Sequence, residues 1–319
     1  MISSMGFLSK QTVVTYNEFK VLNEFNRAKY TVPGAEYREP GDEVELEEPV
    51  GEDETRIFAT VNRDDFSCLA HFASNGEAVY CNHDLFVPNT VINGCRIEVG
   101  GREAVALGTF DEGVLVYDPL VEFSPYPIAV LSGHRETVSF VCSDGELLYS
   151  AAGREIIRWD LGRMEAGDRF DTGIDVERVV ADGRMLYYSE GDTVIAYDTS
   201  SPGDYVTINS IGSVESFCIS GRNLFVGNSE GGVECFDLRE TRQKRTMVVG
   251  DGAVRAIQRR GGDDEAVSVV VGRSLKTLRE LAVVGEFGLS GLGCALIDDG
   301  ATLFVGTEDD KIDVFTLKE

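Results

Sequence analysis

An alternating apolar segment that closes on an aromatic residue and then an aspartate keeps returning along this chain. It reads VLVYD to Asp118, IIRWD to Asp160, VIAYD to Asp198 and VECFD to Asp237, and weaker copies, LKTLR to Arg279 and IDVFT to Thr316, continue the series. Successive steps are 42, 38, 39, 42 and 37 residues. That is the period of WD-repeat propeller blades, of about four strands each. Such a unit cannot bury both its faces alone, so blades gain stability by stacking radially until the ring closes. Seven units of about 40 residues account for nearly everything after residue 55. The sequence therefore predicts an all-β chain, a single seven-bladed WD-repeat β-propeller over residues 56–319, preceded by an extension over residues 1–55.

Within that extension, Phe19, Leu22 and Phe25 lie three apart in the stretch Asn17 to Ala28, which suits a short helix with one apolar face. Thr31 to Glu54 carries three prolines and dense acid without apolar period, and is expected to be a mobile surface loop. The chain stops one strand after the aromatic position of its last repeat. An unpaired edge there would invite aggregation, so Met1 to Leu8 is expected to pair, as the innermost strand of blade one or the outermost of blade seven.

Net charge is -26, from 55 acidic and 29 basic residues. Such a field repels phosphate backbones and attracts basic polypeptides. It is unevenly spread. Ten acids between Glu36 and Glu54 face only Arg38, whereas Arg239 to Arg279 holds ten bases against five acids. Arg239, Arg242, Lys244 and Arg245 are expected in the linker from blade five to blade six, with Arg255, Arg259 and Arg260 next along. These residues are either solvated charge paired with neighbouring acids or a surface that touches RNA phosphates or an acidic partner segment.

Catalytic signatures are absent from the sequence. Outside His134, the only histidines are His71 and His83, neither at metal-ligand or triad spacing, and no G-x-S-x-G elbow or G-x-x-x-x-G-K-[ST] loop occurs. Acid pairs Asp111-Glu112, Asp298-Asp299 and Asp309-Asp310, and glycine pairs Gly100-Gly101, Gly231-Gly232 and Gly261-Gly262, fall between strands, where they suit turns. Seven scattered cysteines (Cys68, Cys81, Cys95, Cys142, Cys218, Cys235, Cys294) show no C-x-x-C spacing and read as small buried hydrophobes in a reducing compartment. No 18-residue apolar run is present and the first residues lack a signal-peptide pattern, so a soluble, intracellular, non-enzymatic protein without cofactor or membrane association is expected.

Gly133-His134, then Ser150 and Trp159-Asp160, is the repeat signature in its fullest form here. In such blades the histidine, hydroxyl, indole and a turn aspartate make a buried hydrogen-bonded network. The turn here is Gly153-Arg154 without aspartate, so an incomplete network is expected.

Several stretches carry a more specific likeness: Met1-Ile2-Ser3, the acidic stretch after a short helix, the run His83-Asp84-Leu85-Phe86-Val87-Pro88, Gly108-Thr109-Phe110-Asp111 leading into VLVYD, and Gly133-His134 with Thr137-Val138. In this order they make the chain resemble the periodic tryptophan protein one family of nucleolar WD-repeat proteins, in a divergent and shortened form. The specific matches cover about Met1 to Ser9 and Glu77 to Asp160. Trp159 is the single tryptophan, with Tyr117, Tyr197, Phe236 and Phe315 at the other repeat positions. The resemblance implies a nuclear, mainly nucleolar factor in assembly of the large ribosomal subunit precursor, linked to ribosomal RNA production and histone contact. Implied partners are ribosome assembly factors and basic ribosomal proteins, with histones and a weak RNA contact as further expectations, the protein being a monomer within a larger complex. A chromatin-associated histone binder and an adaptor or substrate receptor in another complex are the alternatives. His83 and Asp84 are expected either to brace neighbouring blades or to face a partner.

Overall fold

The computed structural model describes residues 1–8, 54–64, 66–75, 78–119, 126–144, 147–201, 203–240, 242–261, 263–298 and 300–317. The expected helix at Asn17 to Ala28 and nearly all of the acidic loop lie outside these residues. The described part is all β and forms the seven antiparallel sheets of a seven-bladed β-propeller.

Blade one is β1 (Ile2–Leu8), β2 (Thr55–Asn62), β3 (Ser67–Ser74) and β4 (Val79–Val87). Blade two is β5 (Val91–Val99), β6 (Arg102–Thr109), β7 (Gly113–Tyr117) and β8 (Ala129–Ser132). Blade three is β9 (Phe140–Ser143), β10 (Leu148–Ala152), β11 (Glu155–Asp160) and β12 (Glu165–Asp171). Blade four is β13 (Arg178–Asp182), β14 (Met185–Glu190), β15 (Thr193–Asp198) and β16 (Tyr205–Asn209). Blade five is β17 (Val214–Ser220), β18 (Asn223–Asn228), β19 (Gly232–Asp237) and β20 (Arg242–Val248). Blade six is β21 (Val254–Arg260), β22 (Asp263–Val271), β23 (Ser274–Arg279) and β24 (Ala282–Gly288). Blade seven, among the described residues, is β25 (Gly293–Asp298), β26 (Thr302–Thr307) and β27 (Ile312–Thr316). Strands pair in chain order in every sheet. The chain divides into two compact units, Ser3–Asp171 and Thr172–Glu319 with Met1–Ile2.

The recurring aromatic segment is the third strand of its blade. Period-2 alternation puts its apolar side chains on both faces of the sheet, where each meets a neighbouring blade. Tyr117 and Trp159 are buried in this way. Tyr117 packs with Phe58, Leu85 and Val105 between blades one and two, and Trp159 with Ile97, Val114, Val138 and Ile157 between blades two and three. Phe236 and Leu278 do the same in the other unit. The recurring aspartate has a separate role. Asp160, Asp198 and Asp237 each accept a hydrogen bond from the backbone N–H two residues on, at Gly162, Ser200 and Arg239, and so fix the turn into the fourth strand.

Met1 to Leu8 takes the first of its two expected places: β1 pairs with β2 as the first strand of blade one. Ser3 and Ser4 hydroxyls both meet the Thr60 hydroxyl, at 2.7 and 2.6 Å. The Met1 ammonium sits 2.6 Å from Asp310 in the turn between β26 and β27. Ile2 and Leu8 are buried, worth about 1.5–3 kcal/mol each. Deletion of residues 1–8 is expected to cost at least about 3–6 kcal/mol on that account, visible as a lowered urea midpoint. An unchanged midpoint would mean that β1 contributes nothing to the core.

Candidate functional site

The repeat signature in blade three joins the three residues expected of it. Trp159 Nε1–H donates to Ser150 Oγ at 2.7 Å, and Ser150 Oγ lies 2.6 Å from His134 Nε2. On the other side of the imidazole, Glu155 Oε2 lies 3.3 Å from His134 Nδ1. Glu155, the first residue of β11, brings a carboxylate near the imidazole that the Gly153-Arg154 turn lacks, yet His134 Nδ1 makes no hydrogen bond, so the network is incomplete as expected. Arg169 on β12 clamps that carboxylate with 2.9 Å bonds to both oxygens and also donates to the Gly133 carbonyl at 3.1 Å. Burial holds His134 below its ordinary value, and Glu155 opposes the shift. The Ser150–His134–Glu155 order imitates a hydrolase triad. Its serine oxygen, however, is wholly buried and already accepts the indole N–H, and His134 and Trp159 beside it are buried too. No substrate can reach that oxygen, so the network ties the loop before β9 to strands β10 to β12. Asp160 is exposed and caps its turn through Gly162 and Arg163 N–H.

His83 and Asp84 separate. The His83 ring donates from Nε2–H to the Pro119 carbonyl at 2.8 Å, and its Nδ1 lies 2.8 Å from the end of the Asn82 side-chain amide. It thus braces β4 against the segment following β7. Its ring also meets His71 edge-on, with centroids 4.9 Å apart. Leu85 and Val87 are buried, whereas Asp84 is exposed.

Several residues of the basic sector pair with acids or carbonyls among the described residues. Arg242–Val248 is the fourth strand β20 and not a linker, a misreading that follows from its polar composition. Arg242 and Lys244 lie on that strand, though their side chains are outside the described part. Arg239 makes a two-pronged contact with Asp237, at 3.2 and 3.0 Å. Arg245 donates to the Glu280 carbonyl at 2.9 Å, with the Glu280 carboxylate 3.6 Å away. Arg260 lies 3.6 Å from the buried Asp298 carboxylate and donates to the Gly300 carbonyl at 3.2 Å. Lys276 meets Glu286, and Arg279 meets Asp263. Arg255 and Arg259 are exposed, make no ion pair among the described residues, and sit on β21, the first strand of blade six. First and fourth strands are opposite edges of a blade, so Arg245 and this pair face different surroundings.

One buried acid escaped the sequence reading. Glu234, in the middle of VECFD, is wholly buried and accepts from Ser210 Oγ at 2.5 Å, Ile211 N–H at 3.0 Å and Asn228 Nδ2 at 3.1 Å. It anchors the loop between β16 and β17 to blade five. Its signal was a carboxylate inside an otherwise apolar third strand. Glu234→Leu is expected to destabilise by about 2–4 kcal/mol, since three donors lose their acceptor in a dry site. Thermal unfolding tests this, and a loss under about 0.5 kcal/mol would show the loop held by other contacts.

Among the described residues no group of three or more His, Cys, Asp or Glu is arranged to hold a metal ion. No protein-family model and no curated protein sequence matches this chain.

Proposed function

We propose that this chain is a non-catalytic WD-repeat scaffold of ribosome biogenesis, acting in assembly of the large-subunit precursor and in ribosomal RNA production. Nucleus and nucleolus are the compartments this reading implies. The observation that carries the scaffold part is the blade-three network: its Ser150–His134–Glu155 order is that of a catalytic triad, yet it is sealed by Trp159 and serves the fold. Support for the ribosomal part is the resemblance to the periodic tryptophan protein one family carried by the motifs within about Met1 to Ser9 and Glu77 to Asp160. An acidic surface of net charge -26 suits the capture of basic ribosomal proteins and assembly factors. The same charge suits histone tails, and RNA contact falls to residues such as Arg255 and Arg259.

Affinity purification of the tagged protein from its own cells at moderate salt, with protein and RNA identified, tests this. Large-subunit assembly factors together with precursor ribosomal RNA are expected. Histones alone would replace the reading with a chromatin role, and an unrelated complex would replace it with an adaptor role.

A further inference from the structure

Six blades close their third strand with a fourth, and the seventh, among the described residues, does not. The consequence is visible in burial. Every other third strand (β3, β7, β11, β15, β19, β23) contains buried residues, whereas β27 contains none. Its composition is nonetheless that of a covered strand, Ile-Asp-Val-Phe-Thr, with Phe315 packed on Phe287 of β24 at 5.2 Å between centroids.

The hydrogen-bond phase of the ladder shows which groups are on offer. Thr307 N–H bonds the Lys311 carbonyl at 2.9 Å, and Leu317 N–H bonds the Ala301 carbonyl at 2.8 Å. Antiparallel pairs alternate, so Lys311, Asp313, Phe315 and Leu317 face β26 while Ile312, Val314 and Thr316 turn their N–H and C=O groups to the open side. This edge carries neither a proline nor a bulge, although the strand is short and bears Asp313. The β26–β27 register runs without a shift, as do the pairings of second with third strands in the other blades.

Charge selects the occupant. Glu308 and Asp309, in the turn that leads into β27, are exposed and make no ion pair among the described residues. A second copy of the chain would bring another net charge of -26 to the edge, which opposes pairing of like with like. We propose that the open edge of β27 accepts an extended, basic segment of a partner protein as the fourth strand of the seventh sheet. Its backbone bonds Ile312, Val314 and Thr316, alternate apolar side chains lie along Phe287 and Phe315, and its cations meet Glu308 and Asp309. This deepens the scaffold reading and rests on it.

The test uses the full chain and a fluorescent peptide, Lys-Arg-Thr-Val-Thr-Val-Thr-Arg-Lys, with a counterpart bearing glutamate at the four basic positions. The basic peptide is expected to bind, to weaken with salt, and to slow amide exchange at Ile312, Val314 and Thr316 at least about tenfold, while the acidic one does not bind. Val314→Pro removes an outward N–H that the ladder to β26 does not use, so binding should fall at least about tenfold with thermal unfolding unchanged. If that variant fails to fold, residue-resolved exchange in the unaltered protein decides alone. Slow exchange at these three amides in the free chain would overturn the proposal, because the edge would already be filled. So would peptide binding without protection there, or a dimer that Val314→Pro dissolves. Pre-ribosomal particles that still co-purify when the peptide test fails would remove the edge and leave the scaffold standing.

Discussion

Trp159→Ala should lower the unfolding free energy by about 3–5 kcal/mol, the largest single-residue loss expected in this chain. The indole is almost wholly buried against Ile97, Val114, Val138 and Ile157, so its removal opens a cavity between blades two and three. It also removes the N–H that donates to the Ser150 hydroxyl, which keeps its bond to His134. Ser150→Ala keeps the packing and leaves the indole N–H and His134 Nε2 without their shared partner, an expected loss of about 1–3 kcal/mol. Glu155 is a third exposed, so Glu155→Ala should cost no more than about 1 kcal/mol.

The cycle of Ser150→Ala with Trp159→Phe separates network from packing. Residues sharing one hydrogen-bond chain couple by about 0.5–3 kcal/mol, and independent sites add. Urea unfolding of the four proteins measures this. Additive losses would mean that the serine and the indole merely lie near each other, and the account of the signature as one connected structural unit would be wrong.

The third strands of blades two to six were legible from sequence because they carry buried apolar residues, so a nearly continuous apolar run returns at each of them. Fourth strands were not. β12 (EAGDRFD) and β16 (YVTIN) are exposed along most of their length, so no buried apolar run sets them apart, and the polar β20 was read as a linker. The blade-three network was half legible. His134, Ser150 and Trp159 hold their expected places, yet the carboxylate near the imidazole is that of Glu155, two positions past Gly153, and it leaves His134 Nδ1 without a hydrogen bond. The basic sector was the least legible feature. Summed charge along a sequence ignores the contact between blades that joins Arg260 to Asp298 and the contact within a sheet that joins Arg279 to Asp263, which only the fold reveals.

His71 should make blade one acid-sensitive. It lies on β3, almost wholly buried, and neither ring nitrogen has a partner of hydrogen-bonding geometry. Burial first, then the facing His83 and Arg56, push it from its ordinary 6.5 down to about 4. In the unfolded chain the imidazole takes up its proton as pH drops through 6.5, while the folded one stays neutral until about 4. The unfolded state therefore binds more protons across that window, and stability falls as pH falls. A depression of this size is worth about 3 kcal/mol, fully present above pH 6.5 and lost by pH 4. Carboxylates titrate near the lower end as well, so the informative quantity is the difference between the protein and His71→Leu. Urea midpoints at intervals from pH 7 to pH 4 should converge toward acid, the substituted protein losing less. Parallel curves would place His71 in contact with solvent or with an unrecognised acceptor, and the bracing of β4 through His83 and Pro119 would then have to be independent of its neighbour's charge.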